Sequence, residues 1–355
     1  MTATPPSPVH PLTVGVFGAG SIGCYVGGAL AAAGTDVVLV GRDRVRAEIT
    51  AHGLTAVALD GTAHRAPPAR YTVATSADAL AACDAVLCCV KSGQTAEASA
   101  ALSSVLPPGA LVVSAQNGLH NADALRASLR DQTVLGGIVG FNVLSRGDGT
   151  FRRATSGPLV IEASAHAALP ATVAALRRAG FEVDVSADVR ARQWSKLVMN
   201  LNNAVSALSG APTTVLLGSP GYRSVIRSVM AEALAVMGAA GVRTARVGPL
   251  PVQLFPALLG LPTPLFRVLA RAQLKVDPEA RSSMWEDLAR GRETEVEQLN
   301  GEIVRLAEAH GVDAPFNRRL VALVHAAEAA KRGSPNLSAE ALAAAVRESE
   351  PKRTV

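Results

Sequence analysis

The sequence predicts an α/β amino-terminal half built on a mostly parallel sheet, followed by an all-helical carboxy-terminal half. Three observations carry this. Between Val14 and Leu30 an apolar run ends in a glycine-rich turn that opens an Ala/Gly-rich helical segment. Short apolar runs then alternate with helical stretches as far as about Asp188. Beyond that point long helical periodicities replace the alternation, and strands all but vanish.

The first strand runs into Gly18-Ala19-Gly20-Ser21-Ile22-Gly23, which fits G-x-G-x-x-G. Gly18 permits the tight turn, Gly20 lets the backbone approach a pyrophosphate, and Gly23 lets the new helix pack close to the sheet. The helix N-terminus offers N–H groups and a partial positive charge to the anion. After a break at Gly34, Asp36–Val40 supplies a second strand and completes a βαβ unit of about 30 residues. That context lifts the motif above a bare glycine turn and predicts a Rossmann unit with these six residues on a dinucleotide.

The tip of the second strand selects the dinucleotide, an acid favouring NAD and an arginine favouring NADP. It reads Gly41-Arg42-Asp43-Arg44, with Arg46 close behind. Arg42 suits a 2′-phosphate, so NADP(H) is expected, with Asp43 as a solvated turn residue.

The next elements follow in order. Ala85–Val90 is a continuously apolar, buried strand ending at Lys91-Ser92. Leu111–Ser114 is the next, ending at Gln116-Asn117-Gly118. Ligands of open α/β sheets sit beyond the carboxyl ends of the strands, which puts Lys91 and Asn117 where cofactor or substrate would lie. An exposed lysine and a plain Asn-Gly turn are the bland alternatives. Val134–Asn142 is a further strand, Arg146–Thr150 a hairpin turn, and Gly157–Glu162 a strand. Leu169–Gly180 is a helix, and Phe181–Val185 closes this half.

The second half opens with a helix through Trp194-Ser195-Lys196-Leu197-Val198-Met199-Asn200-Leu201-Asn202-Asn203. Lys196, Asn200 and Asn203 stand at i, i+4 and i+7 and are expected on one face. Such a stripe of amides and one amine reads as a site wall. Residues 249–269 are strongly apolar but broken by prolines, and no stretch reaches the ~18 uninterrupted residues of a membrane span. Short helices are expected there, covering a face of the second domain or forming an oligomer contact. Ser283 with Glu286 fits a capping box at a helix start. Thr294–Ile303 reads as helix, continuing to a stop at His310-Gly311, and Pro315 opens the last packed helix.

A chain of 355 residues suits about two domains. The expected division is a tail at 1–11, a dinucleotide domain at 12–189, a helical substrate domain at 190–347 and a tail at 348–355. Hydrophobic residues make up 49% and charged ones 18%, a globular composition. The net charge is +5, but without a dense Lys/Arg run and with 3% aromatics no nucleic-acid partner is expected. No membrane partner is expected either. Cys24, Cys83, Cys88 and Cys89 fit no zinc spacing, and the histidines form no metal-binding cluster, so no metal is expected. The thiols read as reduced core residues of a cytoplasmic protein, and the Pro-rich start as a loose tail rather than a signal peptide.

Together the motifs resemble the ketopantoate reductases (2-dehydropantoate 2-reductases) over nearly the whole length. The carrying residues are Gly18 to Gly23, Val90-Lys91, Gln116-Asn117-Gly118, Trp194-Ser195-Lys196-Leu197 with Asn200, Ser282-Ser283-Met284, Thr294-Glu295 and Asn300-Gly301. The resemblance implies NADPH-dependent reduction of a small 2-keto acid, ketopantoate in the first instance, as in pantothenate biosynthesis, by a monomer or homodimer. It implies Lys196 as catalytic lysine and general acid and Glu295 as the active-site carboxylate. It sets Asn117 between cofactor and substrate, Asn200 on the substrate and Ser283 on the substrate carboxylate. Lys91 and Arg42 match cofactor-side positions.

One departure stands out: many members carry a second Asn eight residues after the lysine, commonly followed by Pro. That position is Ala204 here, and the amide sits one earlier, at Asn203. One residue turns a helical side chain by about 100°, so Asn203 would meet substrate differently. The alternatives are another NAD(P)-dependent hydroxyacid or opine-like dehydrogenase, or a non-catalytic NADP(H)-binding sensor.

Overall fold

The structure, a computed structural model, describes residues 11–248, 250–270 and 281–347. Residues 1–10 of the expected tail at 1–11, the whole expected tail at 348–355, and Pro249 of the apolar segment lie outside these. The chain divides into two compact units, one ending at Val189 and the other beginning at Arg190.

The first unit is organised by an eight-stranded sheet. Its strand order is Val183–Ser186, Leu159–Glu162, Thr133–Val139, Leu111–Ser114, Ala85–Cys88, Thr13–Phe17, Asp36–Val40, Tyr71–Ala74. Every pairing is parallel except that of Leu159–Glu162 with Thr133–Val139, where Leu159 faces Val139. The order reverses between Thr13–Phe17 and Ala85–Cys88, the switch point at which doubly wound sheets bind ligands. The central strands are continuously apolar because both faces are covered: Leu111–Ser114 and Ala85–Cys88 are buried at every position. Adjacent Cys88 and Cys89 pack into different core clusters, on opposite faces of the sheet.

Helix Ser21–Ala32 crosses one face of this sheet and also carries a smaller four-stranded sheet, Ala63–Arg65, Thr55–Val57, Thr150–Arg153 and Val143–Ser145. Its Ala/Gly composition allows that double approach, with nine of its twelve residues buried. The hairpin expected at Arg146–Thr150 joins Val143–Ser145 to Thr150–Arg153 antiparallel. The strands at Thr55, Ala63 and Tyr71 are too short and polar to announce themselves by alternation.

Among the described residues the second unit is helical apart from a two-residue ladder, Arg246–Val247 with Leu250–Pro251. Its centre is helix Asn202–Ser209, on which Ala204 to Ser209 are all buried. Helices Pro220–Ala239, Ser283–Ala289 and Pro315–Ala330 pack around it. The apolar segment forms short helices, Phe255–Leu259 and Thr263–Leu269, which prolines start and stop. Arg223 fastens them down. It is 2% exposed, donates to the carbonyls of Leu217, Leu259 and Leu261 and to Thr263 Oγ1, and stacks 4.6 Å from the Phe266 ring centroid. The outer side of Thr263–Leu269 remains apolar, with Leu265, Val268 and Leu269 exposed.

Candidate active site

In the first unit the glycine turn is built as the motif requires, each glycine for its own reason. Gly18 has φ +104°, and a Cβ there would lie 2.6 Å from the Val90 backbone nitrogen. The turn thus lies directly against the Cys89-Val90 segment. At Gly23 a Cβ would meet Gly18 O at 2.3 Å, so packing alone demands glycine. Gly20 differs: a Cβ there meets no protein atom within 4 Å. Packing does not require glycine at this position, yet Gly20 is the N-cap of helix Ser21–Ala32 and gives it no side-chain cap. The first N–H groups of an α-helix have no intrahelical acceptor, and beside them Gly20 leaves open space. These residues fit the diphosphate of a dinucleotide.

The strand tip adds charge. Gly41 approaches Ala19, where a Cβ would meet the Ala19 Cβ at 2.6 Å. Arg42 is exposed, and its guanidinium has no hydrogen-bond or ion-pair partner among the described residues. Asp43, expected as a turn residue, is instead the first residue of helix Asp43–His52. Its carboxylate accepts from Arg46 Nη2 at 3.0 Å. A helix start favours the acid electrostatically, and the i+3 arginine neutralises it.

Lys91 is exposed, and Asn117 sits in a turn closed by Gly118 at φ +85°. Beneath them lies a buried polar network. Ser92 Oγ donates to Asn117 O at 3.1 Å, and the Asn121 amide donates to Ser92 Oγ and to Asn117 O. Thr95 Oγ1 donates to Asn121 Oδ1 at 2.8 Å and accepts from Gln116 Nε2 at 2.8 Å. Ser114 Oγ donates to Gln116 Oε1. Ser92, Thr95, Gln116 and Asn121 therefore fix the Asn117 backbone at the carboxyl ends of two central strands. Sequence reasoning missed them. Their signal, small polar residues in the first turns after two buried strands, is weak without the fold.

In the second unit Lys196 lies on helix Val189–Asn200 and is half-buried. Burial pushes its ammonium down to about 8, while the Glu295 carboxylate pulls it back up. These two expected residues are thus electrostatically joined. The face expected for Lys196, Asn200 and Asn203 spans a junction: one helix ends at Asn200, the next starts at Asn202, and Leu201 N reaches Val198 O at 3.3 Å. Leu201 at the junction is buried and keeps right-handed helical angles, φ −60° and ψ −22°, so the chain tightens there without changing hand.

The capping box expected at Ser283 does not form; a one-sided cap by the preceding serine replaces it. Ser282 is the N-cap of helix Ser283–Ala289 and accepts from Trp285 N at 3.1 Å. Its hydroxyl donates to Asn203 O at 3.1 Å, which ties that loop to the Asn203 segment. Ser283 is the first helical residue and is exposed, so its hydroxyl is not spent on the cap. Glu295 is not helical either. The helix begins at Asn300; Glu295 is a bend and residues 296–299 form turns, with Gln298 N on Glu295 O and Gly301 N on Val296 O. Leu299, at φ −114° and ψ −88°, marks the departure from helix.

A Rossmann unit with an open glycine cradle, followed by a helical unit with a lysine–carboxylate pair, defines a class of two-unit oxidoreductases. Ketopantoate reductase PanE/ApbA matches residues 14–166, and the C-terminal part of the same family matches residues 188–328. The chain belongs to the ketopantoate reductase family. A 2-dehydropantoate 2-reductase of Halobacterium salinarum is 33% identical over 89% of this chain and 99% of its own. The crystal structure of a PanE/ApbA family ketopantoate reductase from Ralstonia eutropha JMP134 superposes with a TM-score of 0.75 at 36% identity, covering 90% of this chain and all of that one. D-mandelate dehydrogenase, solved with NADH and anilino(oxo)acetate, has a TM-score of 0.71 at 20% identity, over 90% of this chain and 99% of that one; this likeness is one of fold. Among the described residues no helix is long and apolar enough to cross a membrane.

Proposed function

We propose that this protein reduces a 2-keto acid to its 2-hydroxy acid with NADPH, with 2-dehydropantoate as substrate and pantoate as product. The observation that carries the reading is Lys196: an ammonium made more acidic by burial and held by Glu295. Bound on the glycine cradle, the reduced nicotinamide supplies a hydride equivalent. The chain's own residues do the rest. A ketone oxygen that gains negative charge needs a positive field and a proton, and the Lys196 ammonium provides both. It gives its proton to that oxygen and is left as a neutral amine, which solvent reprotonates. Glu295 keeps the ammonium charged until it is needed. Ser283, Asn200 and Asn203 offer neutral donors to the substrate carboxylate, and Asn117 orients the substrate beside the cofactor. Arg42, with no protein partner, is the guanidinium for the 2′-phosphate, and Lys91 adds positive charge on the cofactor side.

The family and the names of the relatives support this substrate, and Arg42 beside a neutralised Asp43 supports NADPH over NADH. A substrate panel tests it. NADPH oxidation with ketopantoate should far outrun that with pyruvate or oxaloacetate. A rate on ketopantoate no better than on those acids would remove it as the substrate.

A further inference from the structure

The turn that carries Glu295 is held from both sides by groups outside the assigned site. On its upstream side, Glu328 Oε1 accepts the Thr294 N–H at 2.7 Å. On its downstream side, Glu297 takes two bonds from Arg305, through Nη1 to Oε2 at 3.1 Å and Nη2 to the backbone oxygen at 2.6 Å. One imidazole joins the two sides. His325 Nδ1 lies 2.7 Å from Glu328 Oε2, and Nε2 lies 2.8 Å from Glu297 Oε1.

A neutral imidazole has a single N–H, so it can donate to one of these carboxylates while a bare nitrogen faces the other. The charged ring donates to both. The charged groups it meets, directly or through Arg305, are Glu297 from the turn, Glu328 from its own helix, and Glu302, which accepts from Arg305 at 2.8 Å. Bonding to the two carboxylates raises the pKa of His325 above that of a free imidazole.

We propose that His325 is the positioning residue for Glu295: its charged ring bridges Glu297 and Glu328, clamps both sides of the turn, and so sets the negative field at Lys196. This rests on the reading of Glu295 as the carboxylate of the site. Glu295 acts on Lys196 against the effect of burial, so a loosened turn lets Lys196 lose its proton at lower pH. His325 is about half exposed, and each of its bonds alone is modest. The clamp acts through geometry, because Thr294 and Glu297 bracket Glu295.

The test is the pH profile of kcat/KM for ketopantoate reduction in the wild type, His325→Gln, His325→Lys and Glu295→Gln. In His325→Gln the alkaline limb should move down by about half a pH unit, with kcat/KM above the limb reduced about threefold and kcat/KM near neutral pH almost unchanged. His325→Lys, an ammonium that can donate to both carboxylates, should restore the wild-type limb. A His325→Gln profile that superimposes on the wild type, or a His325→Lys profile that fails to recover, overturns the proposal. Should His325→Gln not fold, Glu297→Gln weakens the ring's hold on the turn and must move the limb in the same direction. If Glu295→Gln leaves the limb in place, the reading of Glu295 fails and the clamp with it. If Glu295→Gln moves the limb and His325→Gln does not, only the clamp fails.

Discussion

Gly20→Ala separates a cofactor cradle from an ordinary glycine turn. Gly20 has φ −88° and ψ −165°, a conformation open to any residue. An added Cβ meets no protein atom within 4 Å. Relieving the unfolded chain of a glycine stabilises by about 0.4–1 kcal/mol. Replacing a glycine N-cap by alanine costs about as much. The two effects offset, so stability should stay within about 1 kcal/mol of wild type. Binding should not. The methyl group stands over the first turn of helix Ser21–Ala32, where the diphosphate would approach, and loss of one charge-assisted bond of about 1.5–3 kcal/mol weakens binding roughly 10- to 100-fold. Calorimetric titration with NADPH and denaturant unfolding measure the two sides. Unchanged affinity in a stably folded Gly20→Ala would refute the cradle. Gly23→Ala is the contrast: its Cβ would lie 2.3 Å from the Gly18 carbonyl oxygen, so it should lower stability itself, by about 1–3 kcal/mol.

Other predictions follow from the same geometry. Arg42→Ala should weaken NADPH binding about tenfold and leave NADH nearly unaffected; equal losses for the two cofactors would show that Arg42 does not read the 2′-phosphate. Arg223→Met removes the donors that serve three backbone carbonyls and Thr263, and should destabilise the helical unit by about 2–4 kcal/mol. An unchanged denaturant midpoint would show that the arginine does not fasten the 252–269 segment.

The sequence was most readable where one residue type has one physical reason. The glycine turn, the buried strands Asp36–Val40 and Leu111–Ser114, and the hairpin after Ser145 all lie where residue pattern and turn chemistry agreed. The misreadings share a cause: a local pattern overruled by tertiary partners. Thr294–Ile303 has helical composition, but Glu328 and His325 hold Thr294 and Glu297 in a turn, and the helix waits until Asn300. Ser282 and Ser283 are both competent caps, and the choice fell to Ser282 because its hydroxyl also reaches Asn203 O, far away in sequence. The tightened turn at Leu201, between two helices, left no mark in a run free of Gly and Pro. The network under Asn117 joins residues 92–95 to 114–121, a pairing visible only once the two strands are neighbours.

The central claim is that Lys196 delivers the proton in an NADPH-dependent reduction of ketopantoate. Its ammonium is the active form, and burial lowers its pKa to about 8. Activity should therefore be full below that pH and fall about tenfold per unit as pH rises above it. The measurement is kcat/KM for ketopantoate against pH, followed by NADPH oxidation, in the wild type and in Lys196→Ala. The account predicts this alkaline limb in the wild type, and in Lys196→Ala the loss of both the limb and at least ~10²-fold of the rate. Turnover by Lys196→Ala at the wild-type rate, with the same alkaline limb, would contradict it.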